Sequence, residues 1–205
     1  VKGAVVAAWE RYLPDGVGFV GGHPMFGRER SGVAAASADL IPGCRWVLTP
    51  GERAVTVLKA GRRGAEVSPL ELVWDLAASL GARPVVMSPA EHDRRVAGAS
   101  HLPQLVATAL AAAARDLDEA EPGTLDLAAG GFRDATRIAD SPAALWHEIW
   151  ANNRPALRGA VAAFRAALAD LEAAIDVGDF GALAAVFQRA HAARRRVGGR
   201  AGGPA

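Results

Sequence analysis

Beyond residue 88 the chain offers no segment that reads as a strand, although strands and helices alternate before it. Residues 89 to about 197 carry helix patterns only. Within them Leu157, Val161, Phe164, Leu168, Leu171 and Ile175 recur at alternating spacings of four and three. That heptad-like seam belongs to a helix that packs along a partner helix. Asp176-Val-Gly-Asp breaks it, and Leu183, Phe187 and Ala190 begin another face. The chain therefore reads as the end of an α/β region (residues 1–88), an all-helical region (89–197) and a disordered basic tail (198–205).

The first region has its own punctuation. Residues 3 to about 12 read as a short helix, and "VGFVGG" (17–22) follows a Pro-Asp-Gly turn as a buried strand. "CRWVLTP" (44–50) is a second strand and "AVTVLKA" (54–60) a third candidate, or one arm of a hairpin. Ser68-Pro69 opens a helix that stops at Gly81, and "RPVVMSP" follows it as a short strand. Ser141-Pro142 reads as the cap of a further helix, "SPAALWHEIWAN".

Bulk properties exclude more than they assign. Lys and Arg total 23 against 22 Asp and Glu, a net charge of +1, so no field exists to collect nucleic-acid phosphates. Cys44 has no partner for an internal disulfide, which fits a reducing cytoplasm. No run of about 18 apolar residues suggests a membrane span. The chain begins at Val1 in mid-pattern, as a fragment of a longer protein does.

Five histidines are the main chemical resource. On one continuous helix His92 and His101, nine apart, fall on opposite faces and cannot share a metal. With no HExxH, paired CxxC or carboxylate cluster, no metal site is expected. "GVGFVGG" leads into a strand, not from a strand into a helix, so it is not a phosphate loop. His23 differs: it ends a strand, between Gly21-Gly22 and Pro24, where α/β sheets bind ligands. Imidazole exchanges protons near neutral pH, yet local chemistry alone leaves a turn histidine equally open. In "GGFRDATRIADS" (130–141), Arg133 and Arg137 lie one helical turn apart, with Asp134 placed to brace Arg137. That is either a bidentate carboxylate site or a solvated helix face. Trp146 and Trp150, also one turn apart, read first as packing residues.

Together "VKG", "GGHPMFGRERSG", "LTP", "EHDRRVAGASHLP", "GGFRDATRIADSPAALWHEIW" and "WANN" resemble, in order, the prephenate/arogenate dehydrogenase family. The resemblance runs from Val1 to about Asn153. It implies a Rossmann-type domain for NAD or NADP followed by a helical domain that forms a homodimer. It implies oxidative decarboxylation of prephenate to 4-hydroxyphenylpyruvate, or of arogenate to tyrosine. By resemblance His23 is the catalytic histidine, whose neutral ring accepts the hydrogen bond of the substrate's ring hydroxyl. Arg137 would bind a substrate carboxylate, with Asp134 and Arg133 beside it; His101 and Trp146 would line the pocket. Glu29, Gly22 and Pro24 would lie near the active site, and Lys2 and Gly21 near the cofactor. His92-Asp93 would be structural, starting the interdomain helix. The glycine-rich half of the cofactor domain and the serine before "VK" are missing from the pattern. A non-catalytic helical dimerisation module is the competing expectation.

Overall fold

A computed structural model describes residues 1–27, 32–55, 58–60 and 65–198. The chain divides into two compact units, Val1–Leu157 and Arg158–Ala205.

The first unit begins with α1 (Lys2–Tyr12) and β1 (Val20–Pro24), then β2 (Arg45–Pro50) and the short pair β3 (Leu58–Ala60) and β4 (Ala65–Val67). α2 (Pro69–Ser79), β5 (Arg83–Val86) and α3 (Pro89–Val96) follow, and a π turn (Ala97–His101) leads into α4 (Leu102–Ala120). α5 (Gly130–Thr136), a 3-10 turn (Arg137–Asp140) and α6 (Ala143–Asn152) complete it. Among the described residues no strand lies beyond β5, as the loss of strand patterns predicts.

The main sheet has the order β1-β2-β5, with β2 antiparallel to β1 and parallel to β5. β2 is central, and its Val47, Leu48 and Thr49 are buried, as expected for a strand covered on both faces. The Thr49 hydroxyl donates to the Gly21 carbonyl across the strand pair at 3.1 Å. The candidate third strand does not join this sheet. Residues 52–55 form a 3-10 turn, and Leu58–Ala60 pairs with Ala65–Val67 as a separate antiparallel hairpin.

Local chemistry explains the helix ends. Ser68 and Glu71 form a reciprocal capping box with Pro69 in the first turn of α2, and Gly81 ends that segment at φ +79°. Ser88 accepts from the Glu91 N–H at 3.1 Å and starts α3. The expected Ser141 cap does not form. Its hydroxyl donates back to the Ile138 carbonyl at 2.8 Å, and Pro142 holds the N-cap position without a side-chain bond.

The reading that no stretch could span a membrane needs a correction. Residues 89–120, taken as one helix, have the length required and contain an 18-residue window of mean hydropathy 1.2. Alanine-rich stretches raise hydropathy without bulk, and this segment buries His92, Asp93, His101 and Gln104.

The second unit takes in most of α7 (Arg154–Asp176), which turns at Gly178 into α8 (Phe180–Gly198). Asp179 accepts from the N–H groups of Gly181 and Ala182 at 2.9 and 3.0 Å, capping α8. An Arg189–Asp170 ion pair at 2.7 Å links the two helices. Leu168, Ile175, Val177, Phe180 and Phe187 are exposed, so the seam expected on α7 is only partly covered within one chain. Most of the predicted tail lies outside the described residues.

Candidate active site

β1 presents His23 next to last in the strand, so its ring shares a face with Gly21. A Cβ on Gly21 would collide with the Thr49 hydroxyl and crowd Val6 of α1. Gly21 is thus a close-packing glycine beneath α1. Gly22 points the other way, toward the Trp46 indole. Because β1 runs antiparallel to β2, His23 does not sit at the carboxyl edge of parallel strands. It reaches instead from the sheet toward α1 and α3.

There it meets a residue read from sequence as structural. His23 Nδ1 lies 2.8 Å from His92 Nε2, and His92 Nδ1 lies 2.8 Å from Asp93 Oδ1. The Asp93 carboxylate also accepts the backbone N–H of Lys2 at 2.7 Å and of Gly3 at 2.8 Å. It therefore caps α1, whose own N-cap residue, Val1, makes no side-chain bond. The Asp93 main-chain carbonyl accepts from Asn153 Nδ2 at 2.8 Å, and the same nitrogen lies 3.2 Å from His101 Nδ1.

The π turn explains how His92 and His101 serve one neighbourhood. Its extra residue per turn breaks the straight-helix phase that would set them on opposite faces. Both rings are buried, yet among the described residues no group of three or more possible ligands could hold a metal ion.

Burial first, and then the nearby charges of His92, Lys2, the Val1 amino group and His101, push the His23 pKa down to about 4. Burial likewise lowers His92, against the opposing pull of Asp93, and lowers His101 and the Lys2 ammonium. Burial alone would raise the Asp93 carboxyl, but hydrogen bonds from His92 and the Lys2 and Gly3 N–H groups outweigh it and hold it low.

A stability prediction follows from the three imidazoles. Each binds its proton less tightly folded than unfolded, so below about pH 6.5 the unfolded chain takes up more protons. Melting temperature should fall steadily between pH 6.5 and about 4, followed by circular dichroism. A flat profile across that range would refute the buried, neutral assignment.

Of the remaining predicted residues, Trp146 joins this cluster at its edge. Trp146 packs edge-on to His101 with ring centroids 6.1 Å apart, and Trp150 lies 5.9 Å beyond it. The indole N–H groups of both are buried without an acceptor among the described residues. Arg133, Asp134 and Arg137 are exposed. α5 ends at Thr136, so Arg137 begins a 3-10 turn rather than continuing the helix, and this turn packs against α4. Pro24 closes β1 opposite Trp46, and Glu29 lies outside the described residues. Asn153, buried between Asp93 and His101, was not singled out from sequence. Its only signal is the polar tail of "WANN" after an amphipathic helix.

These parts define a class: a partial nucleotide-binding domain of Rossmann type joined to a helical domain. Comparison with known proteins agrees in both halves. Residues 1–60 match the model of the prephenate dehydrogenase nucleotide-binding domain, and residues 88–189 that of the prephenate dehydrogenase dimerization domain. The prephenate dehydrogenase of Bacillus subtilis is 37% identical over 153 residues, covering 75% of this chain. The chain spans 38% of that relative's length. Synechocystis arogenate dehydrogenase superposes with a TM-score of 0.76 at 28% identity, covering 96% of this chain and 66% of that one. Prephenate dehydrogenase from A. aeolicus, solved with hydroxyphenyl propionate and NAD+, gives 0.75 at 30% identity, covering 87% and 59%. The chain belongs to the prephenate dehydrogenase family.

Proposed function

We propose that this chain carries the substrate-side residues of an NAD- or NADP-dependent oxidative decarboxylation of prephenate. The observation that carries the reading is His23: β1 presents it half-buried and neutral beside α1 and α3, in a chain whose two parts both match this family. A neutral imidazole is a hydrogen-bond acceptor, as oxidation at a carbon bearing a hydroxyl requires. The A. aeolicus relative's hydroxyphenyl propionate complex supports a ligand with a ring hydroxyl and a carboxylate.

The Lys2 and Gly3 N–H groups that α1 could offer an anion are bonded to Asp93, and the 16–21 glycines lead into β1. The half-buried Lys2 side chain is what remains on the cofactor side. The nicotinamide, when bound, supplies the hydride acceptor. His23 takes the hydroxyl's hydrogen bond and then its proton as the ring carbon is oxidised. Loss of carbon dioxide leaves its electron pair in the ring, which becomes an aromatic phenolate and takes the proton back from His23.

On the substrate's other side we assign carboxylate binding to Arg137, supported by Arg133 and Asp134 on the preceding turn. Trp146 contributes a wall and an indole N–H for a substrate oxygen. The boundary near residue 89 separates the cofactor side from the helical side. Homodimerisation through the helical side is supported by the matched dimerization domain and the exposed apolar residues of α7 and α8. Arogenate differs from prephenate in carrying an amino group in place of the keto group. The Synechocystis likeness favours testing it as the second substrate.

The test is prephenate-dependent reduction of NAD by the full-length protein, repeated with arogenate. Arg137→Ala should raise KM about 10- to 100-fold with a smaller change in kcat, because a charged hydrogen bond is lost in ground and transition states alike. An unchanged KM would remove Arg137 from the site.

A further inference from the structure

Two hydrogen-bond chains diverge from Asp93, and each fixes where one imidazole carries its proton. The Asp93 carboxylate is ionised and can only accept, so the proton between it and His92 belongs to His92 Nδ1. A neutral His92 then has a bare Nε2. The 2.8 Å contact from that nitrogen to His23 Nδ1 needs a single hydrogen, so His23 Nδ1 donates. This leaves the His23 Nε2 lone pair without a hydrogen bond among the described residues.

The second chain starts at the Asp93 main-chain carbonyl, which also can only accept. That settles the orientation of the Asn153 amide: its NH2 group faces the carbonyl at 2.8 Å. The second hydrogen on the same nitrogen is directed at His101 Nδ1, 3.2 Å away, which therefore accepts. The His101 proton then resides on Nε2. Asp93, Asn153 and His101 are 9%, 3% and 6% exposed, so water competes little for these bonds, and Trp146 braces the His101 ring from its edge.

We propose that His92 and Asn153 are positioning residues, both keyed to Asp93, that hold His23 and His101 in opposite tautomers. One site thus presents an imidazole acceptor from β1 and an imidazole donor from the π turn. The ligand class this suits has a hydroxyl that donates at one point and a carbonyl or carboxylate oxygen that accepts at another. The inference rests on the proposed substrate only for that last step; the tautomers follow from the chain's own bonds.

The experiment uses the full-length protein labelled with 15N-histidine, and nitrogen–proton correlation spectra that distinguish the tautomers. His23→Asn and His101→Asn identify the signals. At pH 7 the expected result is a proton on Nδ1 of His23 and on Nε2 of His101. The titratable and charged groups facing the pair are Lys2 on α1, the Val1 amino group at its start, and His92 and Asp93 on α3, besides the two imidazoles themselves, so spectra at pH 7 and 6 should agree. His92→Leu should scramble the His23 tautomer and lower kcat about tenfold or more, with KM little changed. His92→Gln returns an amide oxygen near the lost Nε2 and should restore both. Asn153→Leu should scramble His101 instead and act mainly on KM. A proton on His23 Nε2 or His101 Nδ1 in the unaltered protein overturns the proposal, as does equal behaviour of the Leu and Gln variants. Correct tautomers in a protein that turns over neither prephenate nor arogenate would instead reject the proposed substrate.

Discussion

Replacing His23 with asparagine should slow prephenate turnover about 10²- to 10⁴-fold while leaving KM within a few-fold of its starting value. Asparagine places its amide near the position of the imidazole Nδ1, so it can still donate to His92 Nε2, 2.8 Å away in the unaltered protein. It has nothing at the position of Nε2. The substitution therefore spares the packing beneath α1 and removes the nitrogen proposed to accept from the substrate hydroxyl. The rate loss corresponds to roughly 3–5.5 kcal/mol of transition-state stabilisation. The pH profile gives a second check on the same residue. An unperturbed histidine would lose activity as pH fell through about 6.5. Burial and the surrounding positive groups push His23 down to about 4, so the acid limb should move well below 6.5, toward that value. A steady-state profile at several pH values, measured within the range where the fold survives, decides between them. An acid limb that stays at 6.5, or a His23→Asn enzyme of ordinary rate, would remove His23 from the reaction.

His23 was visible in the sequence because glycines and a proline framed it at a strand's end. Its partner was not. His92 lies 69 residues away, and that pairing depends on β1 running antiparallel to β2, a relation no local pattern states. The π turn was equally hidden. Periodicity assumes a constant pitch, and five residues of wider helix were enough to bring His92 and His101, predicted to oppose one another, onto one neighbourhood. The helices were legible where a cap and a glycine bounded them, as with Ser68, Glu71 and Gly81. They were misread where a plausible cap had a better partner, as with Ser141 and the Ile138 carbonyl. Asn153 illustrates the harder limit: one buried amide joins a carbonyl 60 residues away and an imidazole 52 away. Burial gives it meaning, and the polar tail of "WANN" does not say which asparagine is buried.

Asp93→Ala should be the most destabilising single change in the first unit, costing about 3–5 kcal/mol in a denaturant titration. Three donors lose their acceptor at once: the Lys2 and Gly3 backbone N–H groups and His92 Nδ1. Two of these are first-turn groups of α1 that no residue of α1 itself caps. Asp93→Asn keeps one acceptor oxygen but turns its NH2 toward a donor, so its loss should be smaller, about 1–3 kcal/mol. The sign of the pH dependence separates a charge effect from simple packing. The Asp93 pKa is lower folded than unfolded, so its contribution is complete above about pH 3.8 and fades as pH falls through the folded value. The stability gap between the Asp93→Ala variant and the unaltered protein should therefore narrow only in that acid range. If the gap stayed constant down to pH 3, or never exceeded 1 kcal/mol, the carboxylate would not be what ties α1 to α3. The alignment of His92 with His23 would then need another source, because the same carboxylate that closes α1 also tells His92 which nitrogen keeps its proton.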